Sequence, residues 1–126
     1  MSEPEYRHGK VCYIIMPSND PRQSAQFYED VFGWNTRSHD DGTLAFDDSV
    51  GQVSGMWVTD RTAVENPGME VHIMVRSAAD VERTIVEQGG TLVWRSGPDD
   101  HEVYGTFRDP SGNLMGYYQQ AGLDGE

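Results

Sequence analysis

The same order of elements occurs twice along this chain, and that duplication limits the folds open to it. In each half one strand is followed by a helix and then by three short strands, and corresponding elements lie about 57 to 61 residues apart. Residues 51–57 and 112–118 match locally, because both read G-x-x-x-G followed by a large side chain and an aromatic one. A single module of this size cannot bury its sheet alone. We therefore predict an α+β fold in which two βαβββ modules pair into an open curved sheet.

The first module is predicted over about residues 10–60. A continuous apolar run at 11–16 indicates a buried strand. Pro21–Phe32 has apolar residues at helical spacing, with Asp20 as the N-cap and Gly33 as the stop signal. The three strands that follow are predicted at 34–38, 43–47 and 53–59.

The second module is predicted over about residues 69–120 and repeats this order. Its strand at 70–76 precedes a helix at 78–88, which Gly89 and Gly90 end. Its remaining strands are predicted at 91–95, 103–108 and 114–119. The length of 126 residues suits one domain, so we expect residues 1–126 to form it.

Composition excludes several classes of partner. Nine basic against 21 acidic residues give a net charge of -12, which disfavours nucleic acid, since that binding needs clustered Lys and Arg. No stretch approaches the roughly 20 apolar residues of a membrane span, and residues 1–10 are polar where a signal peptide is apolar. We expect a cytoplasmic protein without nucleic-acid or membrane partners. The acidity suits either a salty cytoplasm or an ordinary acidic surface.

Alternation along the first strand of each module indicates which side is packed. In the second module Val71, Ile73 and Val75 point one way, which leaves a mixed set on the other side of the sheet, since side chains alternate along a strand. In the first module the helix side receives Cys12, Ile14 and Met16, and the open side receives Val11, Tyr13 and Ile15. The single cysteine, Cys12, is thus expected to be a small buried residue. The open faces of two neighbouring sheets are expected to form a shared cleft.

Two motifs give this chain a resemblance to a known superfamily. The run from Ser18 to Trp34 reads SNDPxxSxxFYxxVFGW, and the run from Phe107 to Tyr117 reads FRDPSGNLMGY. With the doubled βαβββ order, they resemble the vicinal oxygen chelate superfamily of glyoxalases, bleomycin-resistance proteins and extradiol dioxygenases. The resemblance covers nearly the whole chain. It implies a small organic ligand in a cleft, a homodimer and, in the enzymes of the superfamily, a divalent metal held by one residue from each of four strands.

At the metal-ligand positions that the resemblance implies, this sequence has few side chains that can bind a metal. Counting from Asp20 and Gly112 places two of them at Tyr13 and Gly116, and the internal repeat places the others at Glu70 and Gly55. The two glycines offer no side chain, whereas a divalent metal needs about three or four N or O donors. We therefore expect no metal and no other cofactor, although His72 could add a donor if the strand register were shifted.

The two glycines widen the expected cleft, because backbone replaces the side chains of the metal site. Alternation then directs apolar and aromatic side chains into it, which is typical of small-molecule pockets. The predicted ligand-binding residues are Tyr13, Ile15, Val53, Gly55, Trp57, Leu114, Gly116 and Tyr118. The alternative is that the aromatic residues among them fill a closed core.

Glu70 and His72 are the candidate catalytic residues. A histidine steered by a carboxylate is a common proton-transfer device. The alternative is that Glu70 lies in water near a strand end and His72 bonds to a neighbour. We expect a protein that binds a small organic ligand without a metal. A glyoxalase-like lyase or isomerase acting next to a carbonyl is the alternative, and a metal-dependent lyase or dioxygenase ranks below both.

Overall fold

The computed structural model describes residues 5–97 and 103–119 and divides the chain into two compact units. The division falls between Thr62 and Ala63, in the connection between the two predicted modules. Each unit holds a four-stranded open sheet and one helix, which confirms the predicted α+β class. That the whole chain forms one domain stays a prediction, and the ends of the predicted span lie outside the described residues. Neither helix of the described ranges is long and apolar enough to cross a membrane.

Unit 1 contains the elements β1, α1, β2, β3 and β4. Their bounds are β1 Tyr13–Pro17, α1 Pro21–Phe32, β2 Asn35–Ser38, β3 Leu44–Asp47 and β4 Ser54–Val58. The strand order in the sheet is β1-β4-β3-β2, in which β1 and β4 are parallel and the other pairs are antiparallel.

Unit 2 repeats this arrangement with β5, α2, β6, β7 and β8. Their bounds are β5 His72–Val75, α2 Ala78–Glu87, β6 Thr91–Arg95, β7 Val103–Arg108 and β8 Leu114–Gln119. The strand order is β5-β8-β7-β6, with β5 and β8 parallel. The two sheets therefore have the same topology, as the duplication predicted.

The predicted end signals of α1 are confirmed. The Asp20 side chain accepts a hydrogen bond from the backbone N–H of Gln23 at 3.3 Å, and Pro21 occupies the first helical position. Gly33 ends the helix with φ 73°, a left-handed conformation that favours glycine. In α2 the side chain of Ser77 accepts from the Asp80 N–H at 3.2 Å.

A stack of aromatic rings forms the core of unit 1. Ring centroids are 4.6 Å apart for Tyr28 and Trp34, 4.8 Å for Trp34 and Phe46, and 4.7 Å for Phe46 and Trp57. All four side chains are at most 5% exposed. Tyr28 belongs to α1, and the other three residues belong to the sheet or its edge. The stack therefore packs the helix against one face of the sheet.

The core of unit 2 is smaller and includes a buried polar group. Ile85 of α2 and Phe107 of β7 are fully buried, and the hydroxyl of buried Tyr117 donates to a Glu82 carboxylate oxygen on α2. Glu82 also pairs with Arg95 at 2.8 Å. Burial of the Tyr117 hydroxyl raises its pKa well above the usual value, and the hydrogen bond to Glu82 is the second cause of this increase. Tyr117 therefore stays protonated and joins the helix to the sheet.

Two predictions about side-chain direction in unit 1 are wrong. Trp57 and Gly55 face the helix rather than the open side: Trp57 lies in the aromatic stack, and a Cβ on Gly55 would overlap the ring of Phe46. Cys12 is exposed rather than buried. The strand starts at Tyr13, so alternation along β1 does not govern Cys12.

Gly55 provides a test of this packing. Gly55→Ala should lower the free energy of unfolding by about 1–3 kcal/mol, because a methyl group there would overlap both the Ile14 carbonyl oxygen and the Phe46 ring. Urea unfolding measures the effect. The control is Gly68→Ala, where a Cβ meets nothing within 4 Å, and it should change stability by less than about 0.5 kcal/mol. Equal effects of the two substitutions would contradict the packing described.

Candidate functional site

The face of each sheet that its helix does not cover is the place where exposed side chains collect. In unit 2 the register pairs His72 with Gly116 and Gly116 with Thr106, and it pairs Met74 with Tyr118. These residues alternate with Tyr117, which contacts the helix. They therefore lie on the opposite side, which we call the open face of unit 2.

Three aromatic side chains form a row on the open face of unit 2. The rings of Trp94 and Tyr104 have centroids 5.5 Å apart, and those of Tyr104 and Tyr118 are 6.4 Å apart and nearly parallel, at 23°. Trp94 is 53% exposed and Tyr104 40%, although aromatic rings of this size are usually mostly buried. Met74, also exposed, pairs with Tyr118 in the register. We call Trp94, Tyr104 and Tyr118 the aromatic row.

His72 and Glu70 form a hydrogen-bonded pair beside this row. The His72 Nε2 and a Glu70 carboxylate oxygen are 3.1 Å apart, and their side chains are 34% and 46% exposed. A carboxylate can only accept, so Nε2 carries the proton and, in the neutral ring, Nδ1 is the basic nitrogen. The pair is thus arranged as an imidazole whose tautomer is set by a carboxylate.

Gly116 allows the imidazole to lie against the sheet. A Cβ on Gly116 would overlap the Nδ1, Cε1 and Cγ atoms of His72, so the ring occupies the space that a side chain would take. Gly116 is predicted from the sequence to form the floor of an open cleft. The structure places it on the open face, but beneath His72.

The open face of unit 1 has a charged network instead of a row of aromatic rings. The Arg37 guanidinium donates to both oxygens of Asp47 at 2.9 and 3.1 Å, and the Ser54 hydroxyl donates to Asp47 at 2.6 Å. These hydrogen bonds hold the pKa of the Asp47 carboxyl below its usual range, and the bond from Arg37 has the largest effect. Tyr13 pairs with Ser54 in the register, and Tyr13 and Ile15 are about half exposed.

The strand registers correct one of the positions assigned by the internal repeat. Phe46 and Phe107 each lie two residues before the aspartate of the following turn, and they pair with Gly55 and Met115, so the counterpart of Gly116 is Met56 rather than Gly55. Met56 pairs with Ile15 and Gly116 pairs with His72, so Ile15 is the counterpart of His72, and Tyr13 and Glu70 remain counterparts of each other. Glu70 precedes β5 instead of lying within it.

These corrected positions do not fit a divalent metal ion. Tyr13 offers a hydroxyl, Met56 a thioether and Gly116 no side chain, so Glu70 is the single common ligand of the four. Within residues 5–97 and 103–119, no group of three or more His, Cys, Asp or Glu side chains could hold a metal.

The predicted ligand-binding residues divide into two groups. Tyr13, Ile15, Gly116 and Tyr118 lie on open faces, as does Leu114 by its register with Arg108 and its alternation with Met115. Gly55 and Trp57 lie in the helix-side core, and Val53 precedes β4, in a turn. The binding roles of those on the open faces stay predictions.

Several residues of the open faces were missed by the sequence argument. Trp94 and Tyr104 complete the aromatic row, and Arg37 and Asp47 form the charged network. Alternation through β7, whose buried Gly105 and Phe107 leave Tyr104 and Thr106 on the other side, could have revealed Tyr104. A register shift between Leu92 and Trp94 interrupts the alternation in β6, so alternation does not predict that Trp94 lies on the open face.

Comparison with known proteins extends these observations. A family model described as a glyoxalase-like domain matches residues 13–116. A search of curated proteins gives no match. Solved structures with the same fold include a hypothetical protein from S. aureus, 14% identical with a TM-score of 0.70, which covers 91% of this chain and 96% of its own. A glyoxalase/bleomycin resistance protein/dioxygenase family enzyme from Burkholderia phytofirmans is 15% identical, has a TM-score of 0.70, and covers 88% of this chain and 98% of its own.

The charged network of unit 1 leads to a pH prediction. Because the pKa of Asp47 is lower in the folded protein than in the unfolded chain, its contribution to stability is present above about pH 4 and is lost as pH falls further. Asp47→Asn should lower the free energy of unfolding at pH 7 by about 1 kcal/mol, since the pair is partly exposed, and by much less at pH 3. Urea unfolding at several pH values measures this. Glu29→Gln, on the exposed side of α1, is the control and should change the free energy of unfolding at pH 7 by less than about 0.5 kcal/mol. A deficit for Asp47→Asn that stays constant with pH would contradict the prediction.

Proposed function

Because the chain belongs to the glyoxalase-like domain family, we propose that it binds a small planar organic molecule on the open face of unit 2. Structural neighbours named for the glyoxalase/bleomycin resistance protein/dioxygenase superfamily confirm the resemblance that the sequence motifs indicated. Their identities, about 15%, support a shared fold, so the ligand is argued from the residues of this chain.

The observation that supports binding is the exposed aromatic row. Two of its side chains are 40% and 53% exposed, and its two outer members lie within ring-contact distance of Tyr104. A planar ligand stacked on these rings would remove apolar surface from water and gain the favourable geometry of offset aromatic pairs.

The polar groups next to the row would orient such a ligand. His72 can donate or accept, and Thr106, which carries a hydroxyl, pairs with Gly116 in the strand register. The net charge of -12 favours a cationic ligand by long-range attraction, and a cation would also be attracted to the ring faces. We therefore expect a planar, preferably cationic ligand.

Binding is tested with three matched naphthalene probes that differ in charge: 1-naphthylmethylammonium, 1-naphthylmethanol and 1-naphthylacetate. Tyr104→Ala should weaken binding of the cationic probe about tenfold, because one stacking partner is lost, and Tyr104→Phe should retain it. Isothermal titration calorimetry measures Kd. Tyr6→Ala, which removes an aromatic ring that is 90% exposed outside the sheets, should leave Kd unchanged.

Two results would contradict this proposal. One is equal binding by Tyr104→Ala and the parent chain, and the other is failure of all three probes to bind. Metal analysis and sedimentation of the same sample check the expectations that the protein holds no divalent metal and forms a homodimer.

The His72–Glu70 pair favours a second candidate function, proton transfer next to a carbonyl group. Nε2–H is bound to Glu70 and Nδ1 lies against Gly116, so a ligand that turned the His72 ring away from the sheet would allow Nδ1 to remove a proton from a carbon beside a carbonyl. The C–H electron pair would then form the enolate and the negative charge would move to the carbonyl oxygen. Where the substrate has a β,γ-double bond, the enolate is a conjugated dienolate, and return of the proton to its γ-carbon would complete an isomerisation without an oxidant or reductant.

The second candidate function predicts that the protein exchanges hydrogen for deuterium in a ketone without converting the ketone into another compound. With 2-tetralone in D₂O, the parent chain should catalyse deuterium uptake at the carbons beside the carbonyl, followed by NMR. His72→Ala should abolish catalysed exchange, and Glu70→Gln should slow it about 10²-fold or more, both with little change in ligand affinity. Exchange that both variants retain would exclude the pair as its cause, and binding without exchange by the parent chain would leave the binding function alone.

A further inference from the structure

Trp94, at one end of the aromatic row, belongs to the edge strand of the unit 2 sheet. This strand, β6, pairs with β7 on one side only, and all five of its residues are exposed. Its register with β7 also shifts between Leu92 and Trp94. Strand pairing is therefore a weak constraint on the position of Trp94.

Three residues form a line across the helix side of this sheet, and the line ends next to Trp94. The register pairs Arg95 of β6 with Gly105 of β7, and Gly105 with Tyr117 of β8. Arg95 follows Trp94 directly in β6, so their side chains lie on opposite faces of one short backbone segment. A Cβ on Gly105 would overlap both the Tyr117 hydroxyl and the Trp94 carbonyl oxygen, so the missing side chain leaves room for both groups.

Glu82 of α2 joins the two ends of this line. One of its oxygens, Oε2, accepts from Arg95 Nε at 2.8 Å and also from the Tyr117 hydroxyl. The Glu82 side chain is 16% exposed and that of Arg95 is 42% exposed, whereas the ion pair of Arg83 and Asp80 on the same helix is 63% and 68% exposed. Water therefore weakens the Glu82–Arg95 pair less than it weakens the surface pair. We call Arg95, Glu82 and Tyr117 the helix-side network.

We infer that the helix-side network positions the aromatic row for its ligand. By fixing the backbone of β6 at Arg95, the network holds Trp94 beside Tyr104 on the opposite face of the sheet. A ligand then meets rings that are already in place, and less conformational freedom is lost when it binds. The inference rests on the function proposed for the row, and it assigns Glu82 and Arg95 as positioning residues that do not touch the ligand.

The first test needs no ligand. In the parent chain, NMR should detect NOEs between the rings of Trp94 and Tyr104, whose centroids are 5.5 Å apart. Glu82→Gln and Arg95→Gln should weaken these NOEs while urea unfolding shows that both variants are folded. Asp80→Asn, which removes the same charge as Glu82→Gln from the exposed side of α2, is the matched control and should leave the NOEs unchanged.

The second test measures the Kd of 1-naphthylmethylammonium by calorimetry. Glu82→Gln and Arg95→Gln should each weaken binding about three- to fivefold, because the ligand would then have to order Trp94. The two substitutions change the net charge in opposite directions, so an effect of long-range attraction on the cation would have opposite signs in the two variants. The double variant should bind no more weakly than either single variant, since all three lack the same ion pair.

Three outcomes would overturn the inference. They are ring NOEs that both variants retain, changes in Kd of opposite sign, and equal weakening of binding by Asp80→Asn and Glu82→Gln. If Glu82→Gln does not fold, Tyr117→Phe takes its place with the same expected loss of NOEs, since it keeps the buried ring and removes only the hydroxyl.

Failure of the proposed function has a different signature. If no naphthalene probe binds the parent chain, the proposed function is wrong, and the ring NOEs alone decide the inference. NOEs lost in Glu82→Gln and Arg95→Gln would still support positioning of Trp94 by the network, and NOEs retained in both would overturn it.

Discussion

One-sided burial is the constraint on which each unit depends. Side chains alternate across a strand, so a sheet covered by one helix has a closed face and an open one. In unit 1 the closed face is held by the aromatic stack from Tyr28 to Trp57, and in unit 2 by Ile85, Phe107 and the bond from Tyr117 to α2. The large apolar side chains needed for stability are used there. The open faces are therefore where polar and exposed aromatic side chains can lie without weakening the core.

The two units share a topology but differ in the chemistry of their open faces. Unit 1 has Arg37 bound to Asp47 through two hydrogen bonds, a network of charged groups that satisfy one another. Unit 2 has exposed rings and the His72–Glu70 pair, whose side chains are partly exposed. Duplication thus provides two sheets with the same topology, and the side chains on each open face decide the chemistry of that face. This is why family membership settles the fold while the function has to be argued from particular residues.

Errors in the sequence argument arose where an insertion or a register shift interrupts the repeat. The caps of α1 were predicted correctly because they depend on neighbouring residues, Asp20 and Gly33. Trp57 was placed on the wrong face because an offset that aligns Gly55 with Gly116 is one residue away from the strand register, which aligns Gly55 with Met115 and Met56 with Gly116. In a strand one residue is enough to exchange the two faces. The two halves of the sequence match locally at offsets that differ by a few residues. From the sequence alone, nothing shows which of these offsets the strands follow.

The amino-acid sequence by itself determined the order of elements, the duplication, the helix ends and the family, because these follow from periodicity and from short motifs. It also placed Glu70 and His72 close enough to interact, since they are two residues apart. Only the tertiary structure decided that His72 lies over Gly116, that Trp94 and Tyr104 join Tyr118 in a row, and that Trp57 belongs to the core. Those contacts join strands far apart in the chain, and their register is set by hydrogen bonding and core packing, which no local pattern records.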